Sequence, residues 1–187
     1  MPRLNRSDLF MEIAGLFAER STCERGHVGA VIVKEKHIIS HGYNGAPSGM
    51  PQCDEVGCDT LEVYTKPNST TPRWVEHQLG CQRAIHAEAN AIAYAAKVGV
   101  KCDGAVMYST AEPCKKCSEL IIQAGIMAVH YDNPYRLGAK DFLDSANIIV
   151  HQHVWTPRTM PIEGPCPNCG HAGGTPTSGG CDICDGD

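Results

Sequence analysis

The chain has 187 residues, 42% of them hydrophobic, with 16 basic and 21 acidic side chains and a formal net charge of -5. This length and composition fit one folded domain with a small appendage and exclude wholesale disorder. The acidic balance, the 6% aromatic content and the lack of any run of about 18 apolar residues argue against a nucleic-acid-binding surface and a membrane span. The N-terminus has no apolar signal core, so we expect a cytoplasmic protein, or one of the host cytoplasm if the chain is viral.

The first half of the chain predicts one helix, one hairpin and a long stretch without periodicity. Residues 7–20 carry an apolar stripe at helical spacing, with Ser7 as the expected N-cap. Residues 28–33 predict a buried strand, and residues 37–41 predict a second strand after a short polar turn. Residues 42–80 are rich in glycine and proline and are too long for an ordinary loop. We therefore expect something other than a hydrophobic core, such as a metal ion, to order them.

The second half predicts helices that alternate with strands. Helices are expected at residues 86–98, 114–124 and 139–145, and strands at 105–109, 126–131 and 148–151. This alternation implies parallel strand pairing. Together with the hairpin, it predicts a three-layer α/β/α sandwich built on a mixed central sheet, which would occupy residues 1–154.

The composition changes at residue 155. Residues 155–187 hold five prolines, seven glycines and four cysteines, which predicts a separate tail. Its two Cys-x-x-Cys pairs, eleven residues apart, predict a zinc ribbon, with redox dithiols as the alternative and His171 as a weaker ligand. The tail has no Lys or Arg after Arg158, so docking on a neighbouring subunit or closure of the C-terminus is favoured over nucleic-acid binding. The four expected ligands are Cys166, Cys169, Cys181 and Cys184.

Two motifs carry the chemistry of the main domain. His86-Ala87-Glu88 opens one predicted helix, and Pro113-Cys114-Lys115-Lys116-Cys117 opens the next. We predict that His86, Cys114 and Cys117 bind a catalytic zinc, because three protein ligands leave the fourth tetrahedral position for water. Glu88 would not share a helix face with His86, so it is expected to shuttle protons instead of binding the metal. The alternative is a closed structural zinc finger with a fourth ligand.

These motifs are typical of zinc deaminases, and the chain more closely resembles the deoxycytidylate (dCMP) deaminases of the cytidine deaminase superfamily. The resemblance covers residues 7–152 and implies hydrolysis of dCMP to dUMP and ammonia, which feeds thymidylate synthesis. It is carried, in chain order, by RSTC at 20–23, VGAV at 28–31, GYNG at 42–45, PSG at 47–49, CDEVG at 53–57, HAEANA at 86–91 and QAGI at 123–126.

The resemblance also implies substrate contacts. Asn44 is expected to hydrogen-bond the sugar or base, and backbone amides near Ala87 are expected to hold the base. For Asn44 the alternative is a turn cap. The residues expected near the substrate phosphate are Arg20, Ser21, Ser48, Tyr135 and Arg136.

Members of this family are commonly hexamers. They are activated by dCTP, together with Mg²⁺, and inhibited by dTTP, and both nucleotides bind at a second site. Tyr43, Gly45, Tyr94 and Lys97 resemble positions linked to that site, although Tyr94 and Lys97 also fit simple interface or surface residues. Other candidate functions are deamination of cytidine, a 5-substituted dCMP, a tRNA adenosine or a pterin or riboflavin precursor, and a catalytically idle zinc scaffold that binds nucleotide.

Four further cysteines are expected to order the stretch that lacks periodicity. The chain contains 11 cysteines and 9 histidines, and an odd cysteine count without a secretion signal favours metal binding over a disulfide framework. Some members of the family carry a second, structural zinc in this region. Here His77 is a competing ligand, and free buried thiols are the alternative. Cys102 fits a small buried hydrophobe. The four cysteines are Cys23, Cys53, Cys58 and Cys81.

Overall fold

A computed structural model describes residues 4–65 and 75–153, with backbone only for 61–65 and 75–79. The tail predicted at residues 155–187 lies outside this part of the chain. The elements, in chain order, are α1 (Arg6–Ala18), β1 (Gly29–Lys34), β2 (His37–Tyr43), α2 (Cys53–Val56), β3 (Thr60–Thr65), β4 (Val75–Cys81), α3 (Ala87–Lys97), β5 (Val106–Ala111), α4 (Lys115–Gln123), β6 (Ala128–Asn133), α5 (Lys140–Ser145) and β7 (Ile149–Gln152).

The central sheet has five strands in the order β2-β1-β5-β6-β7. Strand β1 runs antiparallel to β2 and β5, whereas β5, β6 and β7 run parallel. The predicted mixed sheet is therefore confirmed. This topology also brings the start of β1 and the ends of β2, β5 and β6 to one edge of the sheet, because antiparallel neighbours place the start of one strand beside the end of the next.

Side chains on β1 alternate between two hydrophobic cores. Val31 and Val33 pack with α1 on one face of the sheet. Ala30 and Ile32 pack on the other face, in a larger core formed with residues of α3, α4 and α5. Helices on both faces bury β1 completely, which explains why its sequence is almost continuously apolar. The predicted three-layer α/β/α arrangement is confirmed.

Helix α3 lies directly on β2 because Gly42 has no side chain. A Cβ at Gly42 would overlap the backbone of Ala87 and Ala91. Ser40 Oγ donates to the Ala91 carbonyl at 2.5 Å, and Asn90 Nδ2 donates to the Tyr43 carbonyl at 2.8 Å. These contacts fix the first turn of α3 above the edge of the sheet where the strand ends meet.

The structure corrects three details of the prediction. Helix α1 begins earlier than expected because Asn5, not Ser7, is its N-cap and accepts a hydrogen bond from the Asp8 amide. His86 and Cys114 are likewise N-cap residues with extended backbone, one position before their helices. The stretch at residues 42–80 contains α2 and the paired strands β3 and β4, which the sequence did not predict. None of the helices in the described ranges has the length and apolar character of a membrane span.

Candidate active site

A cavity of about 270 Å³ opens at the edge of the sheet where the strand ends meet. Its walls come from the segment before β1, the residue after β2, the start of α3 and the loops that follow β5 and β6. Chain segments far apart in sequence therefore converge on one space. The lining residues are Cys23, Arg25, Gly26, Val28, Asn44, Gly80, Cys81, Ala84, His86, Ala87, Glu88, Ala111, Glu112, Cys114, Tyr135 and Arg136.

The three predicted ligands of the catalytic zinc lie together at the cavity wall. His86 Nδ1 is 3.5 Å from Cys114 Sγ and 3.4 Å from Cys117 Sγ. Zinc bonds of about 2.0–2.1 Å to nitrogen and about 2.3 Å to sulfur, at tetrahedral angles, would place these atoms about 3.6 Å apart. The donor set therefore fits a tetrahedral zinc ion with three protein ligands, which leaves one position open towards the cavity.

The two thiols of this cluster have strongly different proton affinities. A hydrogen bond from Cys117 lowers the pKa of Cys114 to about 3, with His86 adding to the effect. The same hydrogen bond and burial raise the pKa of the Cys117 thiol. One thiolate is thus formed readily beside a second sulfur, which is an environment that attracts a cation.

Glu88 is a buried carboxyl group beside this cluster. Its side chain is only 3% exposed, and its Oε2 atom lies 3.6 Å from Cys117 Sγ. Burial raises the pKa of the Glu88 carboxyl. Glu88 is the second residue of α3, whereas His86 precedes the helix. The Glu88 side chain therefore faces the space next to the metal ligands, where it is able to take up a proton.

Asn44 contacts the backbone at the cavity wall. Its Oδ1 atom accepts a hydrogen bond from the Val28 amide at 2.8 Å, and its Nδ2 atom donates to the Gly26 carbonyl at 2.8 Å. Both bonds brace the segment that leads into β1, which is the turn-capping role considered as the alternative. One Nδ2 hydrogen and one Oδ1 lone pair remain for a ligand, so this geometry accommodates both roles.

The residues predicted near a phosphate divide into three groups. Tyr135 and Arg136 line the cavity. Ser21 is buried, and its hydroxyl accepts a hydrogen bond from the Cys23 amide. Arg20 and Ser48 are exposed and lie outside the cavity lining.

Sequence reasoning did not single out Arg25 and Glu112, although both line the cavity. Each has a nearby signal in the sequence. Arg25 follows the predicted ligand Cys23 by two residues, and Glu112 precedes the predicted ligand Cys114 by two. A residue two positions from a metal ligand lies in the same part of the fold as that ligand and can therefore line the same cavity.

The four cysteines of the second predicted metal site also meet. The Sγ atoms of Cys23, Cys53, Cys58 and Cys81 all lie within 4.8 Å of one another. The Cys23–Cys58 and Cys53–Cys81 sulfur distances are 3.6 and 3.7 Å, too long for disulfides. Four zinc–sulfur bonds of about 2.3 Å would place the sulfurs about 3.8 Å apart. The site therefore fits a structural zinc with four thiolate ligands.

Proton affinities within this four-cysteine cluster also differ. Burial raises the pKa of the Cys53 thiol to about 12 and raises that of Cys23. Burial acts in the same direction on Cys81, but backbone amides, including those of Ala84 and Asp59, lower its pKa to about 7. Of Cys23, Cys53 and Cys81, the thiol that ionises first is therefore Cys81. The side chain of His77 and the four tail cysteines lie outside the described residues, so their roles stay predictions.

The four residues for which the sequence predicted a regulatory role lie on and after β2 and on α3. The Tyr43 carbonyl receives the Asn90 side chain, and Gly45 pairs with Ile85 in an isolated bridge. Tyr94 is 44% exposed with its ring 5.3 Å from that of His41, and Lys97 is exposed in the last turn of the helix.

Comparisons with known proteins agree with one another. The family model of the cytidine and deoxycytidylate deaminase zinc-binding region matches residues 4–132. ComE operon protein 2 of Bacillus subtilis (strain 168) is 39% identical over 81% of this chain and 73% of its own length. The deoxycytidylate deaminase of Mycobacterium phage D29 is 40% identical over 70% of this chain and 97% of its own. A crystal structure of the dCMP deaminase from cyanophage S-TIM5, in complex with dCMP and dUMP, matches with a TM-score of 0.65 and 30% identity, over 82% of this chain and 100% of that one.

Proposed function

The chain belongs to the cytidine and deoxycytidylate deaminase zinc-binding family, and we propose that it hydrolyses dCMP to dUMP and ammonia. One observation carries this proposal. Three zinc-type ligands, His86, Cys114 and Cys117, cluster beside the buried carboxyl of Glu88, and the cavity that Glu88 lines also contains two arginines. Metal ligands with an adjacent proton carrier are the requirements for hydrolytic deamination, and the arginines would attract a phosphorylated substrate.

In the proposed reaction, Glu88 moves the protons. Zinc held by His86, Cys114 and Cys117 would activate the attacking water. The Glu88 carboxylate takes a proton from that water and gives it to the ring nitrogen next to the carbon under attack. It then takes the second proton, from the hydroxyl group now on that carbon, and delivers it to the exocyclic amine, which leaves as ammonia. Water is consumed, the amine is replaced by a carbonyl oxygen, and Glu88 returns to its starting state.

Backbone groups and Asn44 would orient the base and the sugar. Ala87 is the first residue of α3, so its amide has no acceptor within the helix and faces the cavity wall. Asn44 retains one donor and one acceptor position after bracing Val28 and Gly26. These polar groups suit a cytosine ring and a deoxyribose hydroxyl.

We assign the phosphate contacts to Arg25, Arg136 and Tyr135. All three line the cavity, and charge-assisted hydrogen bonds from a guanidinium favour a phosphate dianion. Arg20, Ser21 and Ser48 stay predictions of the resemblance.

Replacing Arg25 with glutamine is expected to raise the KM for dCMP by about tenfold or more, because a charged hydrogen bond to the phosphate is lost. Deoxycytidine, which has no phosphate, should be turned over as in the wild type. Steady-state kinetics on both substrates provide the measurement, and Arg6→Gln is the control because Arg6 is exposed on α1 and lies outside the cavity lining. An equal fall in kcat/KM for dCMP and deoxycytidine would show that Arg25 does not act through the phosphate.

A substrate panel tests the proposed activity. We expect kcat/KM for dCMP to exceed that for deoxycytidine, cytidine and a tRNA anticodon stem, because the two cavity arginines suit a mononucleotide. A higher kcat/KM for cytidine or for a 5-substituted dCMP would identify that compound, and not dCMP, as the substrate of this deaminase. Binding of dCMP without ammonia release would identify a nucleotide-binding scaffold.

The proposal extends to metals and regulation. We assign Cys23, Cys53, Cys58 and Cys81 to a structural zinc and the tail cysteines to a ribbon zinc. We also propose a cytoplasmic hexamer that dCTP with Mg²⁺ activates and dTTP inhibits near Tyr94. The exposure of Tyr94 and Lys97 on α3 supports this assignment of the regulatory site. Repeating the dCMP assay with these nucleotides tests that part.

A further inference from the structure

We propose that Glu112 is a positioning residue, which holds the turn at residues 135–138 against the cavity and so sets the affinity for the substrate phosphate. This inference rests on the proposed function, because the turn carries Tyr135 and Arg136. It concerns a carboxylate that neither the predicted metal ligands nor the proton transfer uses.

One carboxylate contacts the backbone at the start of this turn and again two residues after its end. The turn is closed by a hydrogen bond from the Gly138 amide to the Tyr135 carbonyl at 2.7 Å. Glu112 Oε2 accepts a hydrogen bond from the Tyr135 amide at 3.3 Å, and Glu112 Oε1 accepts one from the Lys140 amide at 3.1 Å. One side chain thus satisfies two backbone amides and ties them to the residue that follows β5.

Gly138 brings the turn close enough for these bonds. A Cβ at Gly138 would overlap the Glu112 carboxylate, so only glycine lets the turn pass over this side chain without displacing it. The turn is also joined to the segment before α4, because the Ala139 amide donates to the Pro113 carbonyl at 3.0 Å and Gly138 pairs with Cys114. The turn is thereby placed next to the proposed metal ligands.

These hydrogen bonds explain why a carboxylate can line a cavity that is proposed to bind a phosphate group. A carboxylate facing the ligand would repel a phosphate dianion. Glu112 instead turns its two oxygens to backbone amides, which offset its charge. Tyr135 is half-buried and Arg136 exposed, so the position of both side chains depends on how the backbone of the turn is held.

The test uses Glu112→Gln and Glu112→Ala in the full chain. Glutamine keeps the shape but replaces one acceptor with a donor, and alanine removes both acceptors. Loss of these bonds should raise the KM for dCMP about tenfold in the alanine variant and less in the glutamine variant. The value of kcat should change by less than about threefold, because a binding contact shared by ground and transition states acts on KM. Amide hydrogen exchange at residues 133–140 should become faster.

Two further measurements separate this role from others. Deoxycytidine turnover and the zinc content of both variants should match the wild type. Gly138→Ala, which pushes the carboxylate away, should reproduce the rise in KM. Glu119→Gln is the matched control, because it removes a carboxylate on α4 that pairs with Lys116 outside the cavity.

An unchanged KM, or a loss of zinc with a fall in kcat alone, would overturn the positioning role. A wild-type chain that releases no ammonia from dCMP would instead reject the proposed function. In that case hydrogen exchange at residues 133–140 and calorimetric binding of dUMP still test Glu112, with unchanged values in both variants overturning the inference.

Discussion

Replacing Glu88 with glutamine is expected to reduce ammonia release from dCMP by about 10³-fold, the middle of the range that a positioned proton carrier contributes. Glutamine has nearly the same shape but cannot accept and return a proton. The zinc content should not change, because Glu88 is not among the three clustered ligands. Ammonia release and zinc content, measured on the same sample, provide the test.

The stability of this variant adds a second criterion. Glu88 is 3% exposed, and burial raises the pKa of its carboxyl, so its charged form is costly in the folded state. A neutral glutamine should therefore leave the thermal midpoint unchanged or raise it. Glu119→Gln on α4 serves as the control for loss of a carboxylate. Turnover close to that of the wild type would refute the proton-carrying role.

Replacing Cys53 with serine is expected to remove one zinc per chain and to lower the thermal midpoint by roughly 10 °C or more. Serine is a poor zinc ligand, and the three remaining thiols would be left in a cluster that no longer binds the metal tightly. The segment from Cys53 to Cys81 contains α2, β3 and β4, and its two ends are joined through this cluster. Metal analysis and calorimetric unfolding provide the measurements.

Activity should fall in the same variant, although Cys53 does not line the cavity. Two other members of the cluster, Cys23 and Cys81, do line it, so loss of the metal would disturb the wall that carries Arg25. Cys102→Ser is the control, since Cys102 is a buried thiol outside both clusters. An unchanged zinc count in Cys53→Ser would show that these thiols do not bind the metal.

The elements of the fold could be predicted wherever burial leaves a pattern in the sequence. The apolar run of β1 and the helical stripe of α1 led to the correct layers, because each element packs against the core. The strands β3 and β4 were missed for the converse reason. Their residues show little apolar alternation, and they pair across an intervening segment, residues 66–74, so the local sequence carries no sign of the pairing.

The first cluster of proposed zinc ligands could be predicted because metal-binding chemistry imposes spacing on the sequence. Cys114 and Cys117 must sit one helical turn apart to reach one ion, and the fold adds His86 from the preceding helix. Cavity contacts impose no such spacing. Arg25 and Glu112 reach the cavity only because the start of β1 and the end of β5 meet at one edge of the sheet, a fact of topology.

The most direct test is ammonia release from dCMP by the full chain after its zinc content has been counted. We predict turnover that disappears when zinc is removed by a chelator and returns when zinc is added back, with one zinc in each of three proposed sites. Failure to release ammonia from dCMP while the catalytic zinc is present would contradict the proposed function.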